Sequence, residues 1–317
     1  MKKKKFLALV LTGVLTLSAT ACGKSSNDVN TSVNTRTETQ GNEAQSAGQE
    51  NEAQSTEQAP EAQPDVDPME EAMKNMESVT SMEAQMIMDM DMTISADGQE
   101  QAVESTTTMD MVYFSDPLKI KMDMTMDMGA QGSMNMQVYA EPSESGTYTV
   151  YMFDGQSWST QESAASALTD YDARSNMMGY IGDASQYTQE GTEQVNGANA
   201  YKYSYVLTEE EMKQQMIDSG ALDSVSQLGL DVSQVDSMLD NLGEVTAYVW
   251  VDEATMYPVK YEMDMTTVMN SLMTNMIEAL GDQAQGLNMS VPEMKVVMTC
   301  SNFNNAADFT VPDEAKN

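Results

Sequence analysis

The chain has 317 residues, 32 of them methionine and none histidine, and its 50 acidic residues outweigh 15 basic ones to a formal charge of −35. A charge of that size and sign excludes nucleic acid as a partner. The lack of histidine removes the usual general base, the usual proton shuttle and the commonest transition-metal ligand.

At the start, Lys2–Lys5 precede an apolar run from Phe6 to Leu17, and Ser18-Ala19-Thr20-Ala21-Cys22-Gly23 closes the segment with small residues. This is an export signal, too short for a transmembrane helix. Its end resembles the lipobox of bacterial lipoproteins. That resemblance implies cleavage after residue 21, a diacylglycerol on the Cys22 thiol, and a protein tethered to the extracellular face of the cell membrane. Each buried acyl CH₂ group contributes about 0.8 kcal/mol to such an anchor. An ordinary signal peptidase cutting after Ala19-Thr20-Ala21 would instead release a soluble protein. Residues 1–21 hold four of the basic residues and no acid, so removing them leaves a charge of −39. Once Cys22 is acylated, Cys300 is the remaining thiol, and stability must come from packing rather than from a disulfide.

Residues 22–67 contain almost no large apolar side chain and are built from Ser, Thr, Asn, Gln, Glu, Ala and Pro. Such a segment cannot offset the entropy of ordering, so it is expected to be a disordered acidic tether, with an r.m.s. reach of about 35–40 Å. The folded domain is expected to span residues 68–317.

Asp67-Pro68 signals a helix start, and Met69, Met73, Met76 and Val79 then fall on one face. Next, Met86, Met88, Met90, Met92 and Ile94 alternate with Ile87, Asp89, Asp91, Thr93 and Ser95. Period two predicts a strand that is apolar on one side and wet on the other. The pattern returns at Met109, Met111 and Tyr113, at Leu118–Met128 through Met122, Met124 and Met126, and at Met134, Met136 and Val138. Tyr148, Val150 and Met152 lead through Asp154-Gly155 to Trp158, a hairpin signal. Successive strands of this kind predict an antiparallel meander with one thioether-lined face.

In the second half, a helix is expected from Gln161 to about Gly182, followed by a strand over Tyr187–Val195, a turn at Asn196-Gly197, and a strand carrying Tyr201, Tyr203, Tyr205 and Leu207. Thr208-Glu209-Glu210-Glu211 is a capping box. Val225, Leu228, Val232, Val235, Leu239 and Leu242 have helical spacing, with Gly220, Gly229 and Gly243 as break points, and are expected to form a lid. Strands resume at Val245–Val251 and Val259–Met265. A helix through Met269, Leu272, Met273, Met276 and Leu280 precedes the last strand, Met294–Phe303.

Met-Asp-Met-Thr occurs at Met90–Thr93, Met122–Thr125 and Met263–Thr266. Methionine fills buried sheet faces well, and thioethers also repack around ligands of variable shape. Soft sulfur additionally suits Cu(I), although same-face neighbours on one strand stand nearly 7 Å apart and need cross-strand help to hold one ion. The opposing Asp row lacks any dense carboxylate loop and reads as a solvated face rather than a calcium site. No cofactor motif and no Gly-X-Ser-X-Gly is present, and Cys300 shares parity with Met294, Val296 and Met298, as a core residue would. The chain is expected not to be an enzyme.

The element order, with Met86–Met92, Asp154–Trp158, Tyr248–Asp252, Tyr257–Lys260, Phe303–Asn305 and Phe309–Pro312, resembles the LolA/LppX superfamily of lipoprotein and lipid carriers. More closely, it resembles lipoproteins of Gram-positive bacteria assigned to that superfamily. The resemblance covers about Met69 to Pro312 and implies an α+β fold: a curved antiparallel half-barrel with helices on its concave side and an apolar cavity between. Methionine stands where such proteins usually carry Leu, Ile and Val. The expected ligand is therefore a lipid or other apolar molecule, lined by Met88, Met90, Met92, Met109, Met111, Met122, Met124, Met126, Met134, Met136, Tyr203 and Tyr205. The alternatives are a structural or protein-interaction module with a filled core and, less prominently, a Cu(I) binder.

Overall fold

The computed structural model describes residues 66–96, 98–164, 168, 184–219, 237–284 and 286–316. The signal segment, Cys22 and nearly all of the tether lie outside these residues. So do Val225, Leu228, Val232 and Val235 of the expected lid, together with Gly220 and Gly229.

Eleven strands among the described residues form one open antiparallel sheet. In chain order they are β1 (Ser81–Ala96), β2 (Gln99–Ser115), β3 (Leu118–Asp127), β4 (Ser133–Pro142), β5 (Tyr148–Phe153), β6 (Trp158–Ser163), β7 (Thr188–Val195), β8 (Ala198–Leu207), β9 (Val245–Asp252), β10 (Pro258–Asp264) and β11 (Leu287–Ser301). Their spatial order is β6-β5-β4-β3-β2-β1-β11-β10-β9-β8-β7. Two meanders thus meet where β1 pairs with β11, and β6 and β7, consecutive in the chain, are the two outer edges. One expectation is corrected here: Gln161–Ser163 end strand β6 and do not begin a helix. Backbone pairing decides it: Gln161, Glu162 and Ser163 pair with Val150, Thr149 and Tyr148 of β5, which holds this stretch extended at the sheet edge. Leu168, helical and buried, is the described part of the expected helix, and 165–167 and 169–183 lie outside the described residues.

Strands β1 and β2 are longer than their methionine runs, because the polar stretch Gln99–Thr108 pairs with Ala96–Ile87 all the way to the turn. Near its middle β11 carries a bulge. Asp91 faces Glu293 but Thr93 faces Ser290, so Val291 and Pro292 share the place opposite Met92. The extra residue switches the buried parity from Met289 and Val291 to Met294, Val296, Met298 and Cys300. Proline suits this place, since it has no N–H to offer the ladder.

Three helices share the methionine core: α1 (Pro68–Glu77), α2 (Glu209–Ser219) and α3 (Thr266–Leu280). The α1 start is built as the sequence predicts, with Asp67 Oδ1 accepting from the Met69 N–H at 2.8 Å and Pro68 in the first turn. Its Met69, Ala72 and Met76 are fully buried. The α2 start is the expected capping box: Thr208 N donates to Glu211 Oε2 at 3.0 Å, and Glu211 N donates to Thr208 Oγ1 at 3.3 Å. Helix α3 docks on β11 by a device not visible in the sequence. Asn270 Nδ2 donates to the Val291 carbonyl at 2.5 Å, and Asn270 Oδ1 accepts from the Val291 N–H at 2.8 Å. One side chain thus replaces the strand partner that β10, ending at Asp264, no longer supplies. Leu239 and Leu242, the described part of the expected lid, are fully buried in the same core.

On the opposite face, the C-terminal segment packs Phe309, Val311 and Ala315 against Tyr139, Tyr151 and Trp158. Lys119 bonds Asp308 there and stands 4.7 Å from the Phe309 ring centre. A second cluster puts Lys260 over Trp250 at 4.1 Å, with Trp250 Nε1 donating to Glu193 at 2.9 Å.

Candidate functional site: the methionine face

Strand register aligns the expected lining residues in rows across the sheet. One row runs Tyr203, Val249, Tyr261, Met298, Met86, Met109, Met124, Met136. The next runs Tyr205, Ala247, Met263, Val296, Met88, Thr107, Met126, Met134. On the other side of the first lies Cys300, Ala84, Met111, Met122, Val138, Met152. Residues from both halves of the sequence therefore share one face, with cross-strand neighbours about 4.5–5.5 Å apart.

Exposure along these rows is graded. Met88, Met90, Met92, Met109 and Tyr203 are closed off, at 2–5% of their free surface. Met111, Met122, Met124, Met126 and Tyr205 are half-buried. Met134 and Met136, on β4, are exposed at 44% and 36%. The closed residues lie on β1, β2 and β8, and the open part spans β3 and β4. Val138 and Met152, half-buried beside Met122, border the open part and were not among the expected lining residues. Their shared parity with Met134 and Met136 was the signal that could have found them.

The polar groups at the closed end are tied down. Tyr203 Oη donates to Asp67 Oδ1 at 3.2 Å, which joins the α1 cap to β8. Burial, and then the Asp67 charge, pushes the Tyr203 phenol above its ordinary range. The Tyr205 ring lies tilted against Tyr187, 5.4 Å between centres, and its hydroxyl donates to Glu211. Burial and that hydrogen bond push Tyr205 up to about 12, while the Tyr205 hydroxyl and Thr208 hold the Glu211 carboxyl below the usual range. Cys300 is fully enclosed, and burial pushes its thiol far up, so it carries no nucleophilic chemistry in the folded protein. Among the described residues, no group of three or more Cys, Asp or Glu side chains could hold a metal ion, and no helix is long and apolar enough to cross a membrane.

A family model described as a family of unknown function, DUF6612, matches residues 65–317. The chain belongs to this family. No curated protein matches it. Among solved structures, the DUF6612 chain is similar to the lipoprotein LppX of Mycobacterium tuberculosis, at 13% identity over 76% of this chain and 95% of that one, with a TM-score of 0.35. It is also similar to LprF from Mycobacterium bovis, at 12% identity over 78% and 95% with a TM-score of 0.35. A LolA superfamily protein from Nitrosomonas europaea matches at 13% identity over 78% and 94%, with a TM-score of 0.17.

The DUF6612 sheet also bears a groove of about 620 Å³ at the start of β9, the end of β10 and the middle of β11. Tyr248, Glu262, Asp264, Glu293 and Lys295 line it, with Thr246, Thr266, Thr267, Pro292 and Met263. Lys295 bonds Glu293 at 3.0 Å, and Thr266 N donates to Asp264 at 3.0 Å. Tyr248, Glu262 and Lys295 have the opposite parity to Met263 and Val296, so the polar lining of the groove belongs to the wet face, while Met263 is its one contribution from the methionine rows.

Proposed function

We propose that this protein is an extracellular binding protein for a lipid or another apolar molecule, anchored to the membrane through Cys22. The observation that carries the reading is the graded methionine face: closed under the helices, half-buried across β3, and open at Met134 and Met136. A contiguous apolar strip is a costly thing to leave in water, and thioethers at its margin adapt to chains of different shape. The half-barrel reading places the ligand against Met111, Met122, Met124 and Met126 and extends it toward the helices. No reaction is proposed.

The test is native mass spectrometry of protein purified from its own host, followed by organic extraction. A stoichiometric apolar molecule supports carriage. Repeatedly empty protein supports the rival, an interaction module with a filled core, which the complete burial of Met69, Met76, Met269, Met273 and Met294 favours. Anchoring has its own test: Cys22→Ala should move the protein from the membrane fraction to the medium or leave it unprocessed, and unchanged membrane retention would refute it.

A further inference from the structure

Met134 and Met136 differ from the other methionines of the described residues in being exposed rather than buried or half-buried. They are successive same-face residues of β4, opposite Met126 and Met124, so they stand at the margin of the open apolar strip. The β5–β6 turn beside them carries Gly155, at φ +94°, where a Cβ would meet the Asn135 carbonyl oxygen at 3.2 Å and Met134 Cγ at 4.0 Å.

A thioether reacts according to its access to the oxidant, and its sulfoxide is polar and chiral where the parent was flexible and apolar. We infer that Met134 and Met136 are an oxidation-sensitive margin of the apolar site, at which a hydroperoxide lowers affinity for apolar ligands. In the step, a sulfur lone pair attacks one peroxide oxygen, the S–O bond forms and the O–O bond breaks. The other oxygen takes the proton and leaves as water from hydrogen peroxide, or as an alcohol from an organic hydroperoxide; the sulfur is oxidised by two electrons, and the peroxide is reduced. Reductases specific for the two sulfoxide epimers reverse the change at the expense of a dithiol. Two S=O dipoles beside Met124 and Met126 would hold water where the ligand needs a dry surface. The regulatory part of this inference rests on the proposed apolar-ligand reading, whereas the modification site does not.

The experiment takes the folded, full-length secreted protein through a series of hydrogen peroxide doses. Peptide mass spectrometry reads sulfoxide at each methionine, and titration with the apolar fluorophore N-phenyl-1-naphthylamine reads affinity. The expected result is sulfoxide at Met134 and Met136 before Met90, Met269 or Met294, with a fall in affinity of about tenfold or more at the dose that modifies only the first two. Treatment with both sulfoxide reductases should restore binding. In Met134→Leu/Met136→Leu the same dose should leave the affinity, whatever its starting value, unmoved. Oxidation that begins at buried methionines or proceeds evenly overturns the modification site. Full oxidation of Met134 and Met136 with unchanged affinity overturns the regulation. If the unoxidised protein does not bind the fluorophore, the ligand reading fails and the regulation with it, while the oxidation order still decides the modification site.

Discussion

At the scale of single residues, Asp67 does two jobs at once. Its carboxylate caps α1 through the Met69 N–H and receives the Tyr203 hydroxyl from β8. Asp67→Ala removes a helix cap and leaves a mostly enclosed phenol without its acceptor, so unfolding free energy should fall by about 1–2 kcal/mol in urea denaturation. Asp67→Asn, which can still accept, should recover much of it. Tyrosine burial makes a second prediction. Tyrosines in the unfolded chain titrate near about pH 10, whereas in the fold Tyr205 is pushed up to about 12 and Tyr187 and Tyr203 are also raised. Between these values the folded state binds more protons than the unfolded one. Stability is therefore fully present below about pH 10 and is lost as pH rises toward 12. Urea midpoints measured across that window should fall, and the fall should be shallower in a Tyr205→Phe variant. An equal slope in both proteins would remove Tyr205 from the account.

At the scale of elements, α3 is held by its apolar face and by a polar clamp. Val268, Met269, Leu272, Met273 and Met276 are buried, while Asn270 satisfies both backbone groups of Val291. Asn270→Ala leaves that N–H and C=O without the side chain that bonds them, and should cost about 1–3 kcal/mol. Amide exchange at Val291 should accelerate more than exchange at Met298, which keeps its ladder partners Met86 and Tyr261. Uniform acceleration would mean that Asn270 acts only through global stability. The two edge strands are protected differently. Strand β7 is polar and exposed and carries a register shift between Gln189 and Gly191, which twists it away from edge-to-edge pairing, while β6 is flanked by the Asp313–Lys316 turn.

For the whole molecule, charge and sheet size set the terms. A chain with 35 more acidic than basic residues repels itself, and the wet face of the sheet concentrates part of that charge at pairs such as Asp110 and Asp123, which face each other across β2 and β3. Screening shortens from about 30 Å at 0.01 M salt to about 10 Å at 0.1 M, so the thermal midpoint should rise with sodium chloride over that range. A midpoint that falls would show that ion pairs such as Lys202–Glu193, 2.8 Å apart, outweigh the repulsion. The open sheet also explains why the apolar face is unevenly covered. Among the described residues α3 packs along β11 and α1 meets β9, whereas the exposed methionines lie on β4.

The sequence by itself determined the local rules: which methionine-alternating stretches are strand, which side of them is apolar, where α1 and α2 are capped, and that no histidine chemistry is available. Period-two methionine and the Asp-Pro and Thr-x-x-Glu signals act over a few residues, so they are readable from a few residues. It did not reveal that polar Gln99–Thr108 is strand, because that stretch is held extended by its partner β1 rather than by its own alternation. Nor did it show that Gln161–Ser163 belong to β6, since the force that keeps them extended is pairing with Tyr148–Val150. Tertiary structure alone decided that β1 joins β11 and that the bulge at Val291–Pro292 reverses parity. It also decided that Tyr203, Met86, Met124 and Met136 stand in one row. The same residue type ends up sealed at Met90 and open at Met134, because exposure depends on which elements lie across the sheet and not on the residues beside it in the chain.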